Sequence, residues 1–159
     1  MRIIGIDPGT GICGFGVIEV AKNRQTKLIT AGVITTPPNT PLADRLLDIW
    51  ESLNEVIAET KPTQASIEKL FFARNITTGI SVAEARGVAT LAAKSAGLEI
   101  YEYTPLQVKQ TITGYGRAEK KQVQEMVREH LGLKSVPKPD DAADALAIAI
   151  THSLIHREG

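Results

Sequence analysis

The sequence has little cysteine and no long apolar run, and each shortage excludes a class of protein. Cys13 is the one cysteine among 159 residues, so no disulfide framework exists and a reducing cytosol suits the chain. No apolar run approaches the roughly 20 residues that a membrane-spanning helix needs. Residues 1–6 resemble a strand rather than the apolar core of a secretory signal. We therefore expect a cytoplasmic protein with no membrane association.

The chain also has no net charge, since 18 Lys and Arg balance 18 Asp and Glu. This balance argues against a polycation that coats nucleic acid or membranes without selectivity. The charge is nevertheless uneven, with a net −2 over residues 1–60, +4 over residues 61–121 and −2 over residues 122–159. A mildly basic central segment therefore lies between two acidic flanks.

The hydrophobic pattern predicts a mixed α/β fold in a single domain that spans residues 1–159. The 43% share of hydrophobic residues is too high for a disordered chain, and the length suits one domain. Three β-rich runs joined by short turns predict an antiparallel start to a sheet, and helices then alternate with two short strands. The predicted strands are 2–6, 12–20, 28–36, 65–68 and 98–103. The predicted helices include 42–57, 82–96, 105–112, 118–131 and a last helix from 140 or 141 to 156.

Four acidic residues stand at the ends of predicted strands and helices. Asp7 closes the first strand before a glycine turn, and Glu68 closes the fourth strand. In an open α/β sheet, functional groups gather beyond the strand ends, so we expect these two acids to meet. Asp141 and Asp144 share one face near the start of the last helix. A helix packed beside the strand ends would add this second pair.

Crowded carboxylates repel one another, and their pKa values rise unless cations intervene. Mg²⁺ prefers oxygen ligands, and two such ions roughly 3.5–4 Å apart can activate a water and stabilise the leaving oxygen of a phosphodiester. Each acid also has a structural interpretation, since Asp7 can close its turn and Glu68 can be an exposed strand end. Acids favour a helix N-terminus in any case, and Asp140 is the preferred N-cap. The spacing alone favours a metal site and these structural roles about equally.

Two motifs resemble sites that the surrounding sequence argues against. Residues 9–14 match the dinucleotide pattern GxGxxG, but that pattern requires a following helix and a strand follows here. His152 and His156 have the spacing of a metal pair, but they lie near the C-terminus and no Glu follows His152. We expect these histidines to be solvated or to cap the helix.

An aromatic loop and a basic helix face suit nucleic-acid binding. Phe71 and Phe72 lie in a predicted loop beside Arg74, where a ring can stack on an unpaired base. The alternatives are that one ring anchors the loop to the core and that the basic face is only solvated. Phosphate binding becomes attractive if that face borders the carboxylates. The basic residues flank a glycine-containing turn and are Lys109, Arg117, Lys120 and Lys121.

Five motifs resemble a known family. They are Ile-Gly-Ile-Asp-Pro-Gly-Thr at 4–10, Ile-Glu at 67–68 followed by Phe71, and the segments 107–110, 118–120 and 141–147. Together they resemble the RuvC crossover-junction endodeoxyribonucleases, the bacterial Holliday junction resolvases, over essentially the whole chain. The resemblance implies an RNase H-like fold, a homodimer and Mg²⁺-dependent hydrolysis of DNA. It also implies the RuvA–RuvB branch-migration complex as a partner.

The resemblance further implies roles for individual residues. Its catalytic acids and ligands of two Mg²⁺ ions, with Mn²⁺ as a substitute, are Asp7, Glu68, Asp141 and Asp144. The resemblance favours Asp141 over Asp140 as the ligand, although the additional acid at Asp140 leaves the choice between the two open. It implies that Phe71 stacks on a base, that Lys109 binds DNA, and that Lys120 both binds DNA and supports catalysis. The further DNA-binding candidates are Arg74, Arg117 and Lys121.

The expected function is therefore a structure-selective endonuclease that resolves four-way DNA junctions by paired, symmetric nicking during recombination and repair. A two-fold dimer would present the same active site twice. A helix rich in small residues could form its interface or pack on its own sheet, and these residues are Ala83, Ala85, Gly87, Ala89, Ala92 and Ala93. The alternatives are a related nuclease acting on structured RNA and a junction-binding module without activity. A fragment of a sugar kinase or actin-type ATPase would need a second domain, for which the length leaves no room.

Overall fold

A five-stranded mixed sheet forms the centre of the computed structural model, which describes residues 1–69 and 76–156. The strands are β1 (Arg2–Asp7), β2 (Ile12–Val20), β3 (Thr26–Thr35), β4 (Gln64–Glu68) and β5 (Glu99–Tyr103). Their order across the sheet is β3-β2-β1-β4-β5. The first three strands are antiparallel, whereas β4 runs parallel to both β1 and β5. This arrangement confirms the predicted mixed α/β sheet.

Five helices of the described residues cover the two faces of the sheet. They are α1 (Leu42–Thr60), α2 (Ile76–Ser95), α3 (Pro105–Thr113), α4 (Lys120–Leu131) and α5 (Asp140–Ile155). Helices α1 and α2 pack on one face, and α3, α4 and α5 pack on the other. Within residues 1–69 and 76–156, no helix has both the length and the hydrophobicity needed to cross a bilayer.

Helix α2 begins at Ile76, which is earlier than the predicted start at Val82. The expectation that residues up to Thr77 form a loop was therefore wrong for its last two residues. β-Branched residues and glycine have low helix propensity, and the segment from 76 to 79 consists of them, so local preference did not indicate a helix. Strand β2 follows the GxGxxG match at residues 9–14 as predicted, which excludes the dinucleotide-binding arrangement.

The alternation of side chains along β1 determines the face of the sheet on which each residue lies. Successive residues of a strand point to opposite faces of the sheet. Ile4 and Ile6 are fully buried among residues of α1 and α2, whereas Ile3 is buried against α5. Gly5 and Asp7 follow Ile3 at intervals of two residues, so they lie on the α5 face.

Helix α5 packs with its backbone directly against the strand backbone. Gly5 on β1 lies opposite Gly16 on β2, and neither residue carries a side chain that would hold the helix away. A methyl group on Gly5 would clash with the carbonyl oxygen of Ala145 and would lie 2.9 Å from the amide nitrogen of Ala149. Ser66 of β4 also donates a 2.9 Å hydrogen bond to the carbonyl of Ile148. The helix is therefore fixed both in its height above the sheet and along its axis.

A buried polar network secures the far end of α5 and corrects one expectation. His152 is fully buried rather than solvated, and its Nε2 donates to Oε1 of Gln64 at 2.7 Å. The hydroxyl of Tyr103 lies 2.7 Å from Nδ1, to which it donates when the imidazole is neutral. Burial, reinforced by the charge of His156, lowers the pKa of His152 to about 4, so the neutral form prevails. His156 does cap the helix, as predicted.

Replacing Tyr103 with Phe removes this hydroxyl and leaves Nδ1 of His152 buried without its partner. We expect the free energy of unfolding to fall by about 1–3 kcal/mol, as measured by urea denaturation at pH 7. Tyr115→Phe is the matched control, because the side chain of Tyr115 is exposed, and it should change stability by less than about 0.5 kcal/mol. Equal losses in the two variants would contradict a stabilising role for the network.

Candidate active site

The parallel pairing of β1 with β4 brings two acidic residues to one edge of the sheet. Ile6 of β1 lies opposite Ile67 of β4, and the next residues along these strands are Asp7 and Glu68. The two side chains approach closely enough for their carboxyl groups to share a hydrogen bond. The meeting of these two acids follows from the parallel register alone.

Helix α5 contributes further carboxylates from its first two turns. Asp7, Asp141 and Asp144 each offer one carboxylate oxygen, and these three oxygens lie within 4.8 Å of one another. In the described part of the chain, no other set of acids, histidines or cysteines is grouped in this way. Glu68 stands beside this trio and is not one of its members. The donors are all oxygen atoms, which are the ligands that hard divalent cations prefer.

Asp140 has a different environment from Asp141, although the two are adjacent. Pro139 is the N-cap of α5 and Asp140 is already helical, so the expectation that Asp140 is the N-cap was wrong. The fixed φ of Pro139, −69°, with an extended ψ of 175°, suits the entry to a helix. Asp140 accepts a 3.1 Å hydrogen bond from Nε2 of Gln124. It therefore faces α4, and Asp141 is the residue that joins the acidic trio.

Burial and mutual repulsion favour the protonated forms of Asp7, Glu68 and Asp144. Burial raises the pKa of Asp7 to about 9, with further increases from the charge of Glu68, the hydrogen bond with Glu68 and the charges of Asp144 and Asp141. Burial also raises the pKa of Glu68, although the hydrogen bond from Asp7 opposes this increase. The pKa of Asp144 is raised by burial and partly restored by Lys120. A divalent cation would relieve this repulsion, because it favours the ionised carboxylates.

A cavity of about 240 Å³ lies beside the acids, between the end of β4 and helices α3, α4 and α5. Its walls include both acidic and basic side chains, so two of the basic candidates, Lys109 and Lys120, border the carboxylates. Each water takes up about 30 Å³ of liquid volume, so the cavity has room for a phosphate group or for several waters. The lining residues are Glu68, Pro105, Val108, Lys109, Lys120, Val123, Asp144, Ala147 and Ile148.

Lys120 is held beside the acids because it is the first residue of α4. The start of this helix is fixed by Gln122, whose side chain accepts a 2.8 Å hydrogen bond from the backbone N–H of Glu119. Nζ of Lys120 lies 3.5 Å from Oδ2 of Asp144 and 3.7 Å from Oδ2 of Asp140. Partial burial lowers the pKa of Lys120, but the two carboxylates raise it more, so it stays above its ordinary value. The ammonium group therefore remains charged at neutral pH.

Lys109 reaches the same cavity from α3, whose first turn is also capped. Thr104 accepts a 3.1 Å hydrogen bond from the backbone N–H of Gln107, and the side chain of Gln107 accepts one of 2.8 Å from the backbone N–H of Thr104. Two orphan donors at the helix start are satisfied in this way. The cap sets the start of α3 and thereby the helical position of Lys109 on the cavity wall.

The other basic candidates lie elsewhere. Arg117 is exposed in the turn between α3 and α4, and Lys121 is exposed in the first turn of α4; neither lines the cavity. Lys121 borders a separate surface depression with Thr113 and Met126. The predicted roles of Phe71 and Arg74 concern residues outside the described part of the chain.

Sequence reasoning missed Arg86, which supports the end of β4. Its Nε donates a 3.2 Å hydrogen bond to the carbonyl oxygen of Glu68, and its terminal nitrogen lies 2.8 Å from Oε1 of Glu102. No local motif indicates this role, because the three residues are distant in the sequence. The one available signal is a lone Arg within a helix that is otherwise rich in small residues.

Comparison with known proteins identifies close relatives. A family model described as crossover junction endodeoxyribonuclease RuvC matches residues 3–152. The protein of that name from Heliobacterium modesticaldum is 56% identical over 156 residues, which cover 97% of this chain and 96% of the relative. The structure of Thermus thermophilus RuvC in complex with a Holliday junction substrate matches with a TM-score of 0.92 and 40% identity, covering 97% of this chain and 93% of that one.

A more distant structure shares only the fold. The yeast mitochondrial Holliday junction resolvase Ydc2 matches with a TM-score of 0.64 at 12% identity, over 95% of this chain and 78% of that one. With the Thermus structure, this likeness confirms that the five-stranded sheet and its helices form the RNase H-like resolvase fold.

The raised pKa of Asp7 predicts how stability depends on pH when no metal is present. The ordinary pKa is 3.8 and the folded value is about 9, so between pH 7 and 9 the folded state holds a proton that the unfolded chain has lost. The free energy of unfolding should therefore fall by about 2 kcal/mol over this range. Urea denaturation in EDTA at pH 7, 8 and 9 measures this slope.

Asp7→Asn should remove most of the slope, whereas the control Asp44→Asn, at an exposed position on α1, should retain it. His152 does not interfere, because its pKa of about 4 lies below this range and its ordinary value is 6.5. An unchanged slope in Asp7→Asn would show that another group is responsible.

Proposed function

The chain belongs to the crossover junction endodeoxyribonuclease RuvC family, and we propose that it resolves Holliday junctions as a single nuclease domain. It cuts DNA strands at symmetric positions across a four-way junction during recombination and repair. The observation that carries this proposal is the trio Asp7, Asp141 and Asp144, which stands beside Glu68 in a chain that matches the family over residues 3–152. A junction-binding module without activity would have no need to bury and crowd these acids.

The acidic site fits Mg²⁺, with Mn²⁺ as a substitute. Its donors are carboxylate oxygens, and burial and crowding raise the pKa of Asp7 to about 9. Bound cations would relieve the repulsion between these carboxylates. The residues that would hold two ions are Asp7, Glu68, Asp141 and Asp144. Such ions supply activation of a water for attack on phosphorus and charge stabilisation at the leaving oxygen.

The basic residues bind and orient the DNA. Lys109 and Lys120 share the cavity with Glu68 and Asp144, so they offset the charge of the scissile phosphate next to the acids. Arg117 and Lys121 are exposed farther along the same surface, where they contact phosphates of a junction arm. The resemblance to the family assigns base stacking to Phe71 and a further DNA contact to Arg74.

Cleavage of a synthetic four-way junction tests the proposal directly. We expect Mg²⁺-dependent nicking of the junction and little cutting of linear duplex of the same sequence. Asp141→Asn should lower the rate by more than about 100-fold, beyond the loss typical of a residue that only supports a ligand. Asp140→Asn is the matched control and should lower it by less than about tenfold, since Asp140 faces Gln124.

Two outcomes would contradict this proposal. Equal cutting of junction and duplex would show that the enzyme does not select four-way junctions. Full activity of Asp141→Asn would show that the acidic site is not needed for cleavage. Competition with structured RNA distinguishes the related RNA nuclease, because an RNA-specific enzyme would be inhibited more strongly by RNA than by an equal amount of unlabelled junction.

The protein acts as a homodimer through the outer face of α2. The inner face packs on its own sheet and includes the buried residues Ala85, Ala89, Ala92 and Ala93. The outer face exposes Ile80 and Leu91, and Gly87 between them has open space around it. The buried alanines of this helix therefore serve intramolecular packing, and the exposed apolar residues supply the interface. RuvA–RuvB is the partner implied by the family resemblance, and the cytoplasm is the expected compartment.

Leu91→Glu tests this interface by placing a charge within it. We expect light scattering to give twice the 17.1 kDa chain mass for the wild type and a single chain mass for the variant, because a buried unpaired charge opposes association. Singly nicked junctions should then accumulate. Leu47→Glu, at an exposed leucine of α1, is the control and should remain dimeric. A monomeric wild type or a dimeric Leu91→Glu would exclude the interface.

A further inference from the structure

Gly14 of β2 lies between the two structural elements that carry the acidic trio. It pairs directly with Asp7 across β1 and β2, and the backbone of Asp141 lies over it. We propose that Gly14 is a positioning residue that sets the distance of Asp141 from Asp7 and thereby adjusts the acidic site to its metal ions. This inference rests on the proposed metal-dependent nuclease activity.

The register of the sheet places Gly14 on the same face as the acids. Asp7 is opposite Gly14 and Gly5 is opposite Gly16, so these four residues form two neighbouring pairs on the α5 face. Cross-strand partners in antiparallel sheets have Cβ atoms about 4.5–5.5 Å apart. Any side chain at position 14 would therefore project beside the carboxylate of Asp7 and toward the first turn of α5.

The contact with Asp141 leaves no room for a side chain. A methyl group at Gly14 would lie 2.6 Å from the carbonyl carbon of Asp141 and 3.2 Å from its Cβ, and it would be closer still to the carbonyl oxygen. The two nearest atoms belong to the backbone of α5, so no side-chain rotation can relieve the overlap. Gly14 is not among the residues with positive φ. Space, and not backbone conformation, is the reason for glycine here.

The rest of α5 remains held while its first turn is pushed away. Gly5 still contacts Ala145, and Ser66 still bonds to Ile148. Normal carbon–carbon contact requires about 3.5 Å, so a methyl at position 14 displaces the backbone of Asp141 by about 1 Å. Mg²⁺ demands oxygen ligands at about 2.0–2.1 Å in near-ideal octahedral geometry. A displacement of that size misplaces a ligand by about half a bond length.

Gly16→Ala is the matched control for Gly14→Ala. It adds the same methyl group to the same strand and the same face, two residues farther along. There the methyl group meets the side chain of Leu146, with Cδ2 at 2.6 Å and Cγ at 2.7 Å, and lies 3.1 Å from the amide nitrogen of the same residue; none of these neighbours belongs to an acid. The two closest contacts are therefore to a side chain at Gly16, whereas at Gly14 they are to the backbone of Asp141. The control therefore reports the general cost of overpacking beneath α5 without moving Asp141.

Binding of Mn²⁺ to the full-length protein without DNA tests the proposal, with free Mn²⁺ followed by electron paramagnetic resonance. We expect Gly14→Ala to weaken Mn²⁺ binding by at least about tenfold and to lower the junction cleavage rate by about 100-fold. Its half-saturating Mg²⁺ concentration should rise, while its affinity for junctions in EDTA stays within about twofold. Gly16→Ala should bind Mn²⁺ within about twofold of the wild type, even where thermal unfolding shows an equal loss of stability.

Unchanged Mn²⁺ binding in Gly14→Ala would overturn the proposal, and so would an equal loss in Gly16→Ala. Failure of Gly14→Ala to fold while Gly16→Ala folds would also overturn it, since Gly14 would then be a requirement of the fold. A wild type that binds Mn²⁺ but does not cut junctions would refute the proposed function, and the comparison of the two variants would still decide the role of Gly14.

Discussion

The direct contact between α5 and the sheet is the constraint on which the rest of the structure depends. Glycines on β1 and β2 and alanines on α5 let two backbones approach without intervening side chains. A helix carried on larger residues would sit farther from the sheet. Asp141 and Asp144 would then lie out of reach of Asp7, and the three oxygens could not gather within 4.8 Å. The glycines and alanines at the centre of the fold thus determine how closely the acids at the edge of the sheet approach one another.

The same helix is held at its other end by polar contacts, so its position is fixed at two points. Ser66 bonds to the carbonyl of Ile148, and His152 bonds to Gln64 and Tyr103. A neutral, buried His152 stabilises the fold, whereas the half-buried acids near the start of α5 repel one another. Stabilising polar contacts thus lie at one end of the helix and crowded acids at the other.

The neutral net charge of the chain conceals a useful separation of charge. Acids gather at the edge of the sheet where β1 and β4 end, and lysines from α3 and α4 line the adjoining cavity. Lys120 lies close enough to Asp144 to pair with it and remains exposed enough to meet a phosphate. The positive charge of Lys120 thus partly offsets the negative charge of the acids beside it. The net charge of the whole chain gives no indication of this separation.

The order of the elements, the antiparallel start of the sheet and the acids at the ends of β1 and β4 could be predicted from sequence, because periodicity and turn residues act over a few neighbours. The parallel pairing then made the meeting of Asp7 and Glu68 predictable. Three features were decided by tertiary structure: the earlier start of α2, the burial of His152 and the separate environments of Asp140 and Asp141. The burial of His152 and the environment of Asp140 depend on contacts between distant segments, namely Gln64 with His152 and Gln124 with Asp140. Local sequence preferences do not indicate such contacts, because the contacts form only when the chain has folded.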